Sequence, residues 1–334
     1  MHRSALAFAA ILATGTAQAG VIDLGSMMGN ANIYTIKNFS APSSDVEGKV
    51  VAGGNVTVGS YSVNAKPNKE VDTGGYALIA GGDVKLTGGS INNGKVYAGG
   101  KVELQWAAAP PRTTENPIDF VASAAYYQAL SGDLAKVQST GIVSTLWGGS
   151  VVTGSGLGGI DVFNVSADMF RTSHTWTLDK LVKGQTLIFN ISGTDATFNE
   201  GGVSFEPLRD YNVLFNFPDA LTLNVKGIIG SVLAPNATVD DNWGVINGQV
   251  IVDTWNSTIQ VNSNHYFTPV NLAGFRDTPT PPTTPPIVIP DDPIVISPEP
   301  ADVPEPGTLA LMFAGAGMAL AARRVRRPAA QACA

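Results

Sequence analysis

The chain has 334 residues, 14% of them charged, with a net charge of −7, 37 Gly, 21 Pro and a single Cys. This acidic, charge-poor balance excludes a nucleic-acid binder that neutralises phosphates with Lys and Arg, and one Cys excludes an internal disulfide or a thiolate zinc cluster. Glycine without a Gly-X-Y period excludes collagen, and 44% hydrophobic residues at low charge exclude global disorder. In chain order, Met1-His2-Arg3, the apolar run 5–12 and the small pair Ala17 and Ala19 read as a secretory signal peptide, with signal peptidase cutting after Ala19.

A strand–corner–strand pattern follows. It runs through Ala52-Gly53-Gly54-Asn55, Ala80-Gly81-Gly82-Asp83 and Ala98-Gly99-Gly100-Lys101, each corner flanked by β-favouring runs. The step from Gly81 to Gly99 sets a short period, and the step from Gly53 to Gly81 is longer by a polar insertion at 64–73. Looser copies return at Gly230–Val239 and, one short period on, at Gly248–Val252. Alternation of Val84 with Leu86 and of Val102 with Leu104 turns one face of each run inward. Glycine is expected at the corners for its tolerance of positive φ. The pattern predicts a mainly β fold, a β-solenoid (β-helix) of roughly 18-residue coils in which each coil covers the next.

One segment breaks this rhythm. Asn116 as N-cap, Pro117 at the first helical position and Asp119 in the first turn predict a long α-helix, stopped by Gly141 and packed alongside the solenoid. Gly154-Ser155-Gly156-Leu157-Gly158-Gly159 satisfies a dinucleotide fingerprint by spacing. Residues 160–165 after it alternate like a strand where that fingerprint needs a helix, so a Gly-rich loop is expected.

Chemistry-bearing residues are sparse. His174 and His265 have no acidic or Cys partner at metal-ligand spacing, and no G-x-S-x-G nucleophile elbow occurs. The pairs Asp45 with Glu47 and Asp240 with Asp241 read as turn-forming residues, with Asp240 and Asp241 as the candidate Ca²⁺ ligands. No catalytic residue and no other cofactor is implied. Thr57, Thr87 and Thr153 form no long threonine ladder of the kind a flat ice-binding face would use.

Residues 277–302 are dense in proline, which predicts an extended polyproline II stalk. After them come Pro304, Glu305 and Pro306, an uncharged stretch to Ala322, and Arg323, Arg324, Arg326 and Arg327. An apolar segment closed by a basic cluster predicts a C-terminal membrane helix with its end in the cytoplasm. From Gly307 to Ala322 it falls short of the ~20 residues needed to cross a bilayer, which suits a temporary hold.

The segment from Val303 to the Arg cluster resembles a PEP-CTERM sorting signal. The resemblance implies an exosortase-type membrane protease of a Gram-negative bacterium as a partner and Pro304, Glu305 and Pro306 as its recognition motif. Ser44-Asp45-Val46-Glu47-Gly48-Lys49-Val50, Tyr61-Ser62-Val63, Phe215-Asn216-Phe217-Pro218-Asp219-Ala220 and Gly230–Ala237 resemble a choice-of-anchor A domain over about residues 30–267. That family implies a surface or secreted protein, with adhesins among its members and no family-wide catalytic residues. A helix beside a solenoid is also similar to the ice-binding β-helix fold, a likeness that carries no function.

The expected organisation is a signal peptide at 1–19, a β-solenoid domain at 20–276, a linker at 277–302 and a sorting and anchoring segment at 303–334. The expected function is that of an exported, exosortase-processed surface or matrix protein, non-catalytic and related to adhesion or biofilm. It would be anchored briefly in the inner membrane and then sent to the cell surface, with extracellular polysaccharide or matrix protein as partner. The alternative is a polysaccharide-binding or polysaccharide-degrading β-helix protein.

Overall fold

Strands such as Tyr76–Ala80 and Thr186–Ser192 are buried along nearly their whole length, and a strand apolar on both sides needs cover on both faces. The computed structural model, which describes residues 19–108, 110–171, 175–198, 205–240, 243–273, 275 and 295–296, shows what provides it. Val50, Leu78, Val96, Val232 and Val250 point into a solenoid core, while their neighbours Val51, Ile79, Tyr97, Leu233 and Ile251 pack in a second apolar layer with the helix Phe120–Leu134. The fold is mainly β with parallel strands coiled in the manner of a β-helix, as the sequence predicts.

The order of the coils is not the order of the chain. Along the first face the parallel strands run Ile160–Ser166, Thr186–Ser192, Asn212–Asn216, Ser231–Val239, Val250–Asn256. They continue with Ile33–Thr35, Val50–Ala52, Tyr76–Ala80, Lys95–Ala98 and Arg112–Thr113. The N-terminal half therefore winds outward from the middle of the sheet. The helix, about 22 Å long, carries the chain back, and the C-terminal half winds in until Val250 pairs with Ile33. Asn32 staples this junction: its Nδ2 donates to the Gly248 and Asn262 carbonyls at 2.8 and 3.1 Å, and its Oδ1 accepts from Gly48 N–H.

Coil length varies. Ile33 pairs with Val50 and Leu78 with Val96, close to the predicted period, but the steps from Val162 to Ile188 and on to Leu214 are nearly half as long again. Part of the first excess joins a separate three-stranded sheet. There the hairpin Ile142–Leu146 and Gly149–Thr153 turns at Trp147-Gly148, both at positive φ, and Trp176–Asp179 pairs alongside.

The glycine corners correct the expectation of positive φ. None of Gly53, Gly54, Gly81, Gly82, Gly99 and Gly100 has positive φ. A Cβ on Gly54, Gly82 or Gly100 would instead collide with the Oδ1 of Asn38, Asn55 or Asp83 in the coil before. Those oxygens are engaged: Asn38 accepts from Asn55 N–H, Asn55 from Asp83 N–H and Asp83 from Lys101 N–H, at 2.8–2.9 Å. Glycine is there because the preceding coil occupies the space, with a side chain at Gly54, Gly82 and Gly100 and with a backbone carbonyl at Gly53, Gly81 and Gly99.

The helix also starts later than predicted. Asp119 stays extended and its Oδ1 accepts from Ala122 N–H at 2.9 Å, so it is the N-cap, while Asn116 caps its own turn through Ile118 N–H. At the far end the helix stops at Leu134, ahead of the predicted Gly141, where asparagines of two successive coils capture carbonyls of its last turn and a third captures one just beyond it. Asn216 donates to Ser131 O, Asn190 to Leu134 O and Asn164 to Val137 O, and the three amides hydrogen-bond one another.

Ala19–Ile22 pairs antiparallel with Val270–Ala273, tying together the two ends of the domain. Val295–Ile296 does not follow the polyproline II reading of the stalk. It pairs in parallel with Glu103 and Leu104, where the open edge of the last coil supplies ladder hydrogen bonds. No helix among the described residues is long and apolar enough to cross a membrane, and the predicted membrane segment lies outside them.

Candidate binding surface

The second face of the solenoid turns one set of residues inward and the alternate set to solvent. Phe39, Val56, Val84 and Val102 form one buried column and Ala41, Val58, Leu86 and Leu104 another. Between them, facing outward, Asn256, Ser40, Thr57, Lys85 and Glu103 stand in register, one per coil about 4.8 Å apart. Asp240 extends the row, its Oδ1 accepting from Asn256 Nδ2 at 3.0 Å. A second row on the same face aligns Asp195, Thr222, Thr238 and Thr254. Thr222 Oγ1 donates to Asp195 Oδ1 at 2.8 Å.

A threonine ladder thus exists, but at residues the sequence reading did not name. Thr222, Thr238 and Thr254 recur at an even spacing along the chain, a signal that could have found them. The ladder is three threonines long and begins at a carboxylate, so it is no extended uncharged hydroxyl lattice.

Exposed tryptophans edge this face. Trp106 directly follows the last rung and Trp243 lies past Asp240, both 63% exposed. Lys226 Nζ sits 5.0 Å above the Trp243 ring. Trp147, at the hairpin tip, is 96% exposed.

Of the predicted acidic pairs, Asp45 and Glu47 lie near one another, and only one member of the other pair is described. Asp240 belongs to the outward row, and Asp241 lies outside the described residues. Glu47 is held by its own chain, Oε2 accepting from Ser263 N–H at 3.0 Å and Oε1 pairing with Lys66 at 3.4 Å. Burial and the neighbouring Glu47 charge raise the Asp45 pKa. Among the described residues no three His, Cys, Asp or Glu side chains gather as a metal site would require. His265 stands beside Asn264, its pKa lowered by burial and by Arg209, and His174 lies outside the described residues.

One buried carboxylate went unnoticed in the sequence. Asp161 accepts from Thr140 Oγ1, Gln185 Nε2 and Ser155 N–H at 2.8–3.1 Å. Burial opposes its charge, but these hydrogen bonds outweigh that and lower the pKa. They fix the Gly-rich loop, where Gly156, Gly158 and Gly159 take positive φ, ahead of the strand Ile160–Ser166. This is structural chemistry, with no nucleotide cradle.

Of the sorting residues, Ala19 opens the strand paired with Val270–Ala273. Ala17, Pro304, Glu305, Pro306, Arg323, Arg324, Arg326 and Arg327 lie outside the described residues.

A family model described as an ice-binding-like adhesive domain matches residues 26–263, well over half the chain. The chain belongs to this family. A second model, the PEP-CTERM protein-sorting motif, matches residues 302–327. No curated protein and no solved structure matches the chain. The adhesive domain occupies nearly the stretch over which the choice-of-anchor A resemblance was drawn, under a different family description. With the sorting motif, it makes the chain an exported surface protein of the type that exosortase processes in Gram-negative bacteria.

Proposed function

We propose that this adhesive-domain protein is a non-catalytic adhesin that holds an extracellular polysaccharide on the second face of its solenoid. The observation that carries the reading is the row Asp240, Asn256, Ser40, Thr57, Lys85 and Glu103, which crosses the junction between the halves in one line. A repeating array of hydroxyl, amide and charged groups suits a repeating polar polymer. Trp106 and Trp243 at its edge offer ring faces on which the apolar sides of sugars can stack. Signal peptidase removes residues 1–19. Exosortase then acts at Pro304-Glu305-Pro306 while the apolar segment and its Arg cluster hold the chain in the inner membrane.

The polysaccharide is tested by glycan-array binding of the exported protein. Trp106→Ala with Trp243→Ala is expected to abolish binding and Trp147→Ala to leave it unchanged. Equal loss in both would remove the face from the argument. A reducing-sugar assay separates adhesion from cleavage, because hydrolysis needs two carboxylates at a set separation. Sugar release that disappears in Asp240→Ala would make the chain an enzyme. Fractionation of the native host tests sorting: full-length protein retained in the cytoplasm would overturn it. A Ca²⁺ titration followed by thermal unfolding is expected to show no shift.

A further inference from the structure

A solenoid has open ends, and the last rung at each exposes a row of unpaired backbone groups to any strand that can reach it. At the Val102–Gln105 end no further coil follows on the second face among the described residues of the domain. Yet Val102 and Leu104 are only 1% and 2% exposed. The backbone of Val295–Ile296 pairs there in parallel, Val295 with Glu103 and Ile296 with Leu104.

The sequence of the linker fits this placement. Rungs of the second face read apolar-x-apolar: Val56-Thr57-Val58, Val84-Lys85-Leu86, Val102-Glu103-Leu104. Ile294-Val295-Ile296 repeats that pattern in sequence, and the backbone register pairs Ile296 with Leu104, as Leu86 pairs with Leu104 on the other side. The same block occurs once more in the linker, as Ile287-Val288-Ile289, and each copy is preceded by a proline. Proline lacks the N–H that would extend a ladder, so each block is a strand with a fixed beginning. A bare spacer needs no β-branched alternation and gains nothing from it.

We infer that the linker is the closing rung of the solenoid: Ile294-Val295-Ile296 adds to the Val102–Gln105 edge by strand addition, and so shields that edge from other copies.

Paired cysteines test this in the full-length chain with Cys333→Ala. Glu103→Cys with Val295→Cys is expected to oxidise to a disulfide within one chain, about tenfold more completely than the off-register pair Glu103→Cys with Asp291→Cys. Absence of that cross-link, a cross-link formed only between two chains, or preference for Val288→Cys over Val295→Cys would each overturn the assignment. Ile294→Asp with Ile296→Asp, which leaves the domain's own residues untouched, is expected to produce concentration-dependent end-to-end association. A chain that stays monomeric would overturn the shielding role.

Discussion

From Ile33 to Thr113 the coils stack mainly through Val, Leu and Ala, with Gly-Gly corners beneath Asn38, Asn55 and Asp83 and Phe39 and Tyr61 as the aromatic pair of this core. From Ile160 to Asn216 they stack through rings. Phe163, Phe189 and Phe215 lie nearly parallel, with centroids 4.9 and 5.3 Å apart, and Trp176 and Phe205 pack edge-on or tilted against them. Both halves repeat one residue type per coil at one position, since neighbours in a parallel ladder meet like with like. The difference lies in what happens when a coil is lengthened. A two-glycine corner fixes the path of the chain. So the long step from Val50 to Leu78 loops out between corners, whereas in the aromatic half part of a long coil, Trp176–Asp179, joins the extra sheet.

The largest test of this contrast is Phe189→Ala. It removes the middle ring of the stack and should cost ~3–5 kcal/mol, read as a lower denaturation midpoint. Val58→Ala, in the small-residue core, should cost about 2 kcal/mol. Equal losses would mean that the aromatic stack is no more than ordinary core.

Next in size is a pH effect in the N-terminal half. Lys49 is buried, its Nζ donating to the carbonyls of Gly29 and Thr73, so it ties the N-terminal segment to the 64–73 insertion. Burial pulls its pKa down to about 8, against the partial support of the Asp72 charge. The unfolded chain therefore binds more protons than the folded one between pH 8 and 10.5, and stability must rise with pH across that window, by about 3 kcal/mol if Lys49 acted alone. Above about pH 10 the buried tyrosines oppose it. Burial raises the pKa of Tyr34, Tyr61, Tyr127 and Tyr266, so they deprotonate first in the unfolded chain. Denaturation midpoints should climb from pH 8 to 10 and then fall. Lys49→Met should lose the climb and keep the fall; a climb that survives in Lys49→Met would assign it to another group.

Gly82→Ala tests the corner itself. The new methyl would press on Asn55 Oδ1, which is held in place by Asp83 N–H, and overpacking of this kind costs ~1–3 kcal/mol. If positive φ were the reason for glycine there, removing the neighbour would not help. With steric crowding as the reason, Gly82→Ala combined with Asn55→Gly should recover part of the loss.

How far these features could be read in advance follows the same division. Gly-Gly corners between β-favouring runs announce coils, because the motif is contiguous and each element of it is local. The Phe-Asn pairs at 163–164, 189–190 and 215–216 recur just as regularly, at a longer period. A two-residue motif at that distance is a weak signal, and its role depends on the helix end that the asparagines hold. Coil order was not legible at all. A repeat states that coils stack but not which coil is next, and the pairing of Val250 with Ile33 rests on a helix that returns the chain to the far end. The outward row was hidden for the same reason, since Asn256 and Ser40 become neighbours only across that junction.

The smallest effect asks whether the two halves are one cooperative unit. Gly132 lies inside the helix at ordinary helical φ, and a Cβ there meets nothing within 4 Å. Gly132→Ala should therefore stabilise by ~0.5–1 kcal/mol, through the entropy glycine loses on folding. The helix bonds both halves: Tyr126 and Tyr127 donate to the Asp23 and Leu24 carbonyls, and Ser131 donates to Asn216. If the halves unfold together, the gain appears as a shift of the whole transition, the same by ring fluorescence from the Trp176 region and by backbone dichroism. If the small-residue half and the aromatic half unfold separately, only the transition that includes the helix moves, and the two signals part. The second result would mean that the junction at Asn32 joins two independently stable solenoids.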